Sequence, residues 1–148
     1  MNYKDIEQYF ETDDKLEGIL EKGQEIFKKI DDISGKMRSG LLTTTIECSN
    51  TLQELSGIFA YLNPIYKIAE TSEKDKFERA YMDIKKDMEA NNEKFVSASG
   101  EKEASIIIKD YRRIAHIFEA YIEVCKVLIG SCQSLLKALT EEKNFTTN

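Results

Sequence analysis

Basic side chains near residue 110 are the strongest candidates for chemistry in this sequence. Their spacings of three and four residues place them on one strip of a predicted helix. They are Lys109, Arg112, Arg113 and His116, and Lys102 extends the strip towards the N-terminus. Such a strip could bind the phosphates of nucleic acid or an acidic protein partner. The alternative is a solvated face whose charges pair with nearby Asp110, Glu119 and Glu123.

Few residues of this sequence could support catalysis or metal binding. His116 is the only histidine, and it falls on the polar side of its predicted helix, as a solvated surface residue would. The cysteines at 48, 125 and 132 lie on apolar stripes, which indicates buried free thiols in a reducing compartment. No zinc spacing, calcium loop or phosphate-binding glycine loop occurs. We therefore expect a protein that is not an enzyme, with no catalytic residue, metal or cofactor.

Composition favours a helical protein of moderate acidity. The 148 residues carry a formal charge of −6, are 41% hydrophobic and 32% charged, and include one proline and seven glycines, too few for a turn-rich all-β chain. No apolar stretch is long enough to span a membrane, and the N-terminus lacks the apolar segment of a signal peptide. We expect a cytoplasmic location.

The clearest structural pattern is an apolar stripe with alternating spacings of four and three. Its ten members are Ile107, Tyr111, Ile114, Phe118, Tyr121, Cys125, Leu128, Cys132, Leu135 and Leu139. A second column runs beside it at intervals of seven, from Ile108 to Leu136. The stripe is therefore wider than a two-stranded coiled-coil seam and must face more than one neighbour. This predicts a long C-terminal helix of about 40 residues, over 100–142, in a bundle or an oligomer.

The same rhythm organises the rest of the chain into further helices. A short N-terminal helix and a helix with a stripe from Leu16 to Met37 fill residues 1–40. Two central helices fill residues 41–97, with a stop or kink at Pro64 and a connector to Glu70 between them. We expect one all-α domain over residues 1–148. It would be an elongated bundle of four main helices plus the short N-terminal one.

The first central helix, over Leu41–Leu62, is almost free of charge. Between Leu41 and Tyr66 only Glu47 and Glu54 are charged. Such a helix is expected to be covered on most sides, either at the centre of a bundle or at a subunit contact. The residues predicted to form an oligomer or partner interface are Leu52, Leu55, Phe59, Tyr111, Phe118, Tyr121, Leu128 and Leu135.

Residues 97–139, SASGEKEASIIIKDYRRIAHIFEAYIEVCKVLIGSCQSLLKAL, resemble the end of small phage recombination mediators. The shared features are a polar Ser/Gly-rich link, a charged start, and a long helix with aromatics and a central cysteine. The resemblance implies a ring-forming, non-enzymatic protein that helps load a RecA-like recombinase onto single-stranded DNA coated with its binding protein. On this chain the matching basic residues are Lys109, Arg112 and Arg113.

Two functional hypotheses follow from the sequence. The first is an assembly protein of recombination-mediator type whose repeated basic strip contacts single-stranded DNA. The second is a protein–protein interaction module, such as a phage structural, adaptor or host-directed factor, without nucleic-acid binding. Both require a homo-oligomer or partner helices, and neither requires a membrane.

Overall fold

The computed structural model describes residues 3–146, with side chains for residues 4–143, and this part of the chain is mainly helical and contains no strand. The helices are α1 (Tyr3–Glu7), α2 (Leu16–Arg38), α3 (Thr45–Ala90), α4 (Ser97–Ile107) and α5 (Lys109–Thr146). Two 3-10 turns, Gln8–Phe10 and Asp13–Lys15, join α1 to α2. The predicted all-α bundle with a long C-terminal helix is confirmed.

The chain divides into two compact units. The first combines the described part of Met1–Leu20 with Ile65–Phe118. There the N-terminal segment buries Ile6, Phe10 and Leu16, and Lys76 Nζ donates a 2.9 Å hydrogen bond to the carbonyl of Glu11. Burial of these apolar side chains, at about 1.5–3 kcal/mol each, holds the short N-terminal elements in place.

The second unit combines Glu21–Pro64 with the described part of Glu119–Asn148. Tyr121 of α5 stacks on Phe27 of α2 with ring centroids 4.1 Å apart, and further along both helices Cys132 Sγ lies 3.7 Å from Met37 Sδ. In this unit α2 therefore runs parallel to α5. The C-terminal end of α5 meets the start of α3, where Lys143 Nζ donates a hydrogen bond to Thr45 Oγ1.

A capping box starts α3. The Glu47 N–H donates to Thr44 Oγ1 at 3.2 Å, and the Thr44 N–H donates to Glu47 Oε2 at 3.0 Å. The Thr43 N–H donates to the same carboxylate oxygen at 3.1 Å. These bonds satisfy N–H groups that a helix start leaves unpaired. The Thr44 hydroxyl and these backbone N–H groups lower the pKa of Glu47 below its ordinary value of 4.5.

The predicted stop at Pro64 is wrong, because α3 continues through it to Ala90. A proline inside a helix costs about 3 kcal/mol, since it removes one N–H donor and crowds the preceding turn. Leu62 and Ile65, on either side of it, are 0% and 2% exposed. Burying each contributes about 1.5–3 kcal/mol, so packing on both sides of Pro64 offsets its cost.

The Ser/Gly-rich segment at residues 97–100, expected to link two helices, is instead helical. The helix α3 ends earlier, at Asn91–Asn92, where Asn92 adopts a positive φ of 57° and the Glu93 N–H donates to the Met88 carbonyl. This is a Schellman C-terminus with asparagine in the left-handed position. The residues from Ser97 to Gly100 instead form the first turn of α4.

The predicted long helix starts later than expected, at Lys109. Ile108 interrupts it with φ −94° and ψ 11°, although its N–H still donates to the Ala104 carbonyl. Three consecutive β-branched residues, Ile106 to Ile108, have low helix propensity, and Ile108 is buried in the core. As a result Ile107 is 60% exposed and does not belong to the buried stripe, contrary to the sequence prediction.

We expect Thr44→Ala to lower the free energy of unfolding by about 1 kcal/mol, because an N-terminal cap is lost. Glu47→Gln should destabilise the fold at neutral pH. The pKa of Glu47 is lowered in the folded state, so its contribution is present above pH 4.5 and disappears as the pH falls through the lowered pKa. Urea unfolding at neutral and acidic pH measures both effects, with exposed Ser49→Ala as the control. A pH-independent deficit in Glu47→Gln would contradict the assignment.

Candidate functional site

The basic strip predicted from the sequence lies on α4 and the first two turns of α5. Arg112 is half-buried, and the other four members are exposed. Arg112 Nε lies 2.8 Å from Glu73 Oε1 of α3, in a pair whose glutamate side chain is only 20% exposed. Arg113 forms an ion pair with Glu17 of α2 and lies 3.9 Å from Asp110. Carboxylates of the same unit therefore compensate both arginines, which attach α5 to α3 and to the start of α2.

The remaining members of the strip are free of such pairs. Within the described residues, Lys102, Lys109 and His116 form no ion pair. The strip is thus split: its arginines hold elements of the fold together, whereas its lysines and histidine face solvent. Sequence spacing could not reveal this split, because Glu73 and Glu17 are remote from the arginines in the chain.

The predicted interface residues also divide into two groups. Leu55, Tyr111, Phe118 and Leu128 are at most 7% exposed, so the chain itself covers them. The half-buried members are Leu52, Phe59, Tyr121 and Leu135. Tyr121 is engaged inside the second unit, where its hydroxyl donates to Asp31 at 3.3 Å. An interface role remains a prediction, and within this set it now rests mainly on the half-buried residues.

An uncharged, exposed surface lies on the outer side of α3 in the second unit. Its members are exposed, recur at spacings of four and three, and are Ile46, Asn50, Gln53, Gly57 and Ala60. We call this surface the neutral face of α3. Glu47 is engaged in the capping box, so Glu54 is the one other carboxylate on this part of the helix. The expectation that this helix is central and covered on most sides is not met within the chain.

Gly57 lies on the neutral face with open space beside it. Apart from the adjacent residues and the nearby backbone of the helix itself, no atom within the described part of the chain lies within 4 Å of the Cβ that an alanine would place there. Glycine in a helix interior costs roughly 0.5–1 kcal/mol relative to alanine. The isolated chain gains no contact from this glycine, whereas a second backbone could approach closely at that point.

The thiols are unsuited to nucleophilic chemistry. Cys48, Cys125 and Cys132 are all fully buried. Burial raises the pKa of Cys125 to about 11 and also raises the pKa of the other two, so the reactive thiolate is disfavoured at neutral pH. Across the described residues no group of three or more His, Cys, Asp or Glu side chains is arranged to hold a metal ion.

One cleft of the first unit contains mixed charges. It has a volume of about 270 Å³ and is lined by Phe10, Glu11, Ser72, Asp75, Lys76 and Arg79. Lys76 is engaged there, because it bonds the Glu11 carbonyl and lies 5.0 Å from the ring centroid of Tyr111. The cleft lining has two cations and two carboxylates, so it has no net charge with which to select an ionic ligand.

Comparisons with known proteins add no functional assignment. No protein-family model matches the chain, and no curated protein or solved structure is similar to it. Among the helices of the described part, none is both long and apolar enough to cross a membrane.

We expect the Arg112–Glu73 pair to stabilise the fold measurably. A double-mutant cycle with Arg112→Ala and Glu73→Ala should give a coupling energy of about 1 kcal/mol at low salt, because the glutamate is mostly buried. The more exposed Arg113–Glu17 pair is the comparison and should give only about 0.2–0.5 kcal/mol. Urea unfolding of the single and double variants measures both. Equal coupling energies would contradict the structural role of Arg112.

Proposed function

We propose that this chain is a non-enzymatic helical assembly protein that binds a helix of a protein partner on the neutral face of α3. The observation that carries the proposal is a change of composition within one helix. Residues 45–66 carry two charged side chains, whereas residues 67–90 carry thirteen. Interface centres are depleted in charge, and solvated helix surfaces are not.

The exposed small residues support the same role. Gly57 and Ala60 leave the backbone of α3 accessible, and Asn50 and Gln53 offer neutral hydrogen-bonding groups beside them. Ile46, which is 70% exposed, provides an apolar anchor at one end. A partner helix with small and apolar residues could therefore pack closely without burying an unpaired charge.

We expect Ala60→Lys to remove partner binding, because it places a charge on the neutral face beside Gly57. Affinity capture from an extract of the source cells, followed by cross-linking and mass spectrometry, measures the loss. Met82→Lys is the matched control, since Met82 is 47% exposed in the charged half of the same helix. A partner captured equally by wild type and Ala60→Lys would contradict the proposed docking face.

Gly57→Ala tests whether the glycine serves a partner. It should raise the free energy of unfolding of the isolated chain by about 0.5–1 kcal/mol and weaken capture of the same partner, because the new methyl group blocks close approach. Gly130→Ala is the control: Gly130 is also an exposed helical glycine with open space at its Cβ. It should stabilise the chain similarly and leave capture unchanged. Improved capture by Gly57→Ala would contradict close packing.

Single-stranded DNA binding of the recombination-mediator type is the second candidate. The observation that favours it is the exposure of Lys102 and Lys109 without ion-pair partners in the described residues. Arg112→Glu is a poor test, because it would break the pair with Glu73. Lys102→Gln combined with Lys109→Gln should weaken oligonucleotide binding and reduce the slope of log affinity against log salt by about 1.4. Fluorescence anisotropy measures the slope, and Lys28→Gln with Lys29→Gln is the control. No binding at low salt would exclude this candidate.

A further inference from the structure

The junction between α4 and α5 exposes two isoleucines among exposed charged side chains. Ile106 and Ile107 are each 60% exposed. Ile106 is four residues after Lys102 and three after Glu103, and it precedes Lys109 by three and Asp110 by four. Residues three and four apart are neighbours on a helix surface. Ile106 therefore lies at the centre of four charged side chains.

Helical order continues far enough across Ile108 for these positions to share a face. The Ile108 N–H donates to the Ala104 carbonyl, and the Arg112 N–H donates to the Ile108 carbonyl. The buried column of Ala104, Ile108 and Tyr111 runs through the junction on the opposite side. The exposed face thus has Ile106 in the middle, with Lys102 and Lys109 along one edge and Glu103 and Asp110 along the other.

Three of the four charges of this face have no ion-pair partner among the described residues. Within the described residues Lys102, Glu103 and Lys109 form no ion pair, and the one pair of Asp110 is the 3.9 Å contact with Arg113. All four charged side chains are exposed. An apolar centre between one positive and one negative edge is a surface that matches itself.

We propose that a second copy of this chain docks on this face, with the two α4 helices parallel about a two-fold axis. A two-fold axis parallel to the helices brings the lysine edge of each copy against the acidic edge of the other. Lys102 then meets Glu103 of the second copy, Lys109 meets its Asp110, and the two Ile106 side chains pack together. An antiparallel pair would place like edges together, with lysine against lysine.

The length of the face sets the strength of this contact. Residues 102–113 extend roughly 17 Å along a helix. Three turns of helix bury much less than the roughly 800 Å² per partner of a stable interface, so the dimer is weak and exchanges rapidly. Its ion pairs are exposed, so added salt weakens it. This pairing is separate from partner binding on the neutral face of α3, and each can fail without the other.

Charge reversal tests the pairing on the full-length chain. We expect wild type to form dimers in sedimentation experiments at concentrations up to about 1 mM, more at low salt than at high salt. An acidic variant (Lys102→Glu with Lys109→Glu) and a basic variant (Glu103→Lys with Asp110→Lys) should each dimerise at least about tenfold more weakly. An equimolar mixture of the two should restore association, because opposite edges meet again.

A control with the same change of net charge can be made on α2. Lys28→Glu with Lys29→Glu changes the net charge as the acidic variant does, at exposed residues of α2, and should leave dimerisation unchanged. Circular dichroism checks that each variant folds. A monomer at every concentration overturns the proposal. So does a dimer that persists in both charge variants, or a mixture that does not associate.

Cross-linking tests independently whether the two copies meet at Ile106. Ile106→Cys should form a disulfide between two copies when diamide oxidises the thiols, while the native cysteines are buried and do not compete. Ile46→Cys, on the neutral face of α3, is the comparison. Cross-linking through Ile46→Cys and not through Ile106→Cys would show that a second copy docks on α3, and it would overturn the proposed pairing.

Discussion

Burial of the two-column apolar stripe of α5 is the constraint on which the structure depends. Phe118 and Cys125 of the first column and Ile122 of the second are each at most 2% exposed, so helices must cover α5 on more than one side. In the second unit α2 and α3 both contact it, through Phe27 and Thr45. Towards the C-terminus Leu135 and Leu139 are only half-buried, so coverage decreases along the helix.

The same constraint determines what the charges of α5 can do. Arg112 follows a buried tyrosine, and its half-buried side chain emerges at the edge of the core within reach of Glu73. Arg113 is exposed on the same side of the helix as Lys109, and it pairs with Glu17 of α2. An arginine at a core edge covers apolar surface with its stem and bonds a carboxylate with its head. Lys102 and Lys109, which form no ion pair within the described residues, stay available to other molecules. A carboxylate supplied by another helix thus separates the structural arginines from the available lysines on one strip.

Periodicity predicted the helices because a buried face repeats every three or four residues, and it located α2 almost to the residue. Two other predictions were wrong: the helix stop at Pro64 and the uninterrupted helix across Ile108. At both positions helix propensity competes with tertiary packing, and a local sequence pattern does not contain that packing. It also could not predict the partners of Arg112 and Arg113. The stripe identifies an apolar face, but whether the same chain or another copy covers that face depends on where distant helices pack.

The amino-acid composition of α3 differs between its two halves, although both belong to one helix. Its two halves share one uninterrupted helix, yet charged side chains cluster strongly after Tyr66 and nearly vanish before it. Helix formation does not require this difference, because Ser, Thr and Asn are poorer helix formers than Lys and Glu. The neutral half therefore has lower helix propensity and gains no compensating contact on its outer side within the described chain. The proposed partner helix would cover this outer side and supply the contact that the chain does not make there.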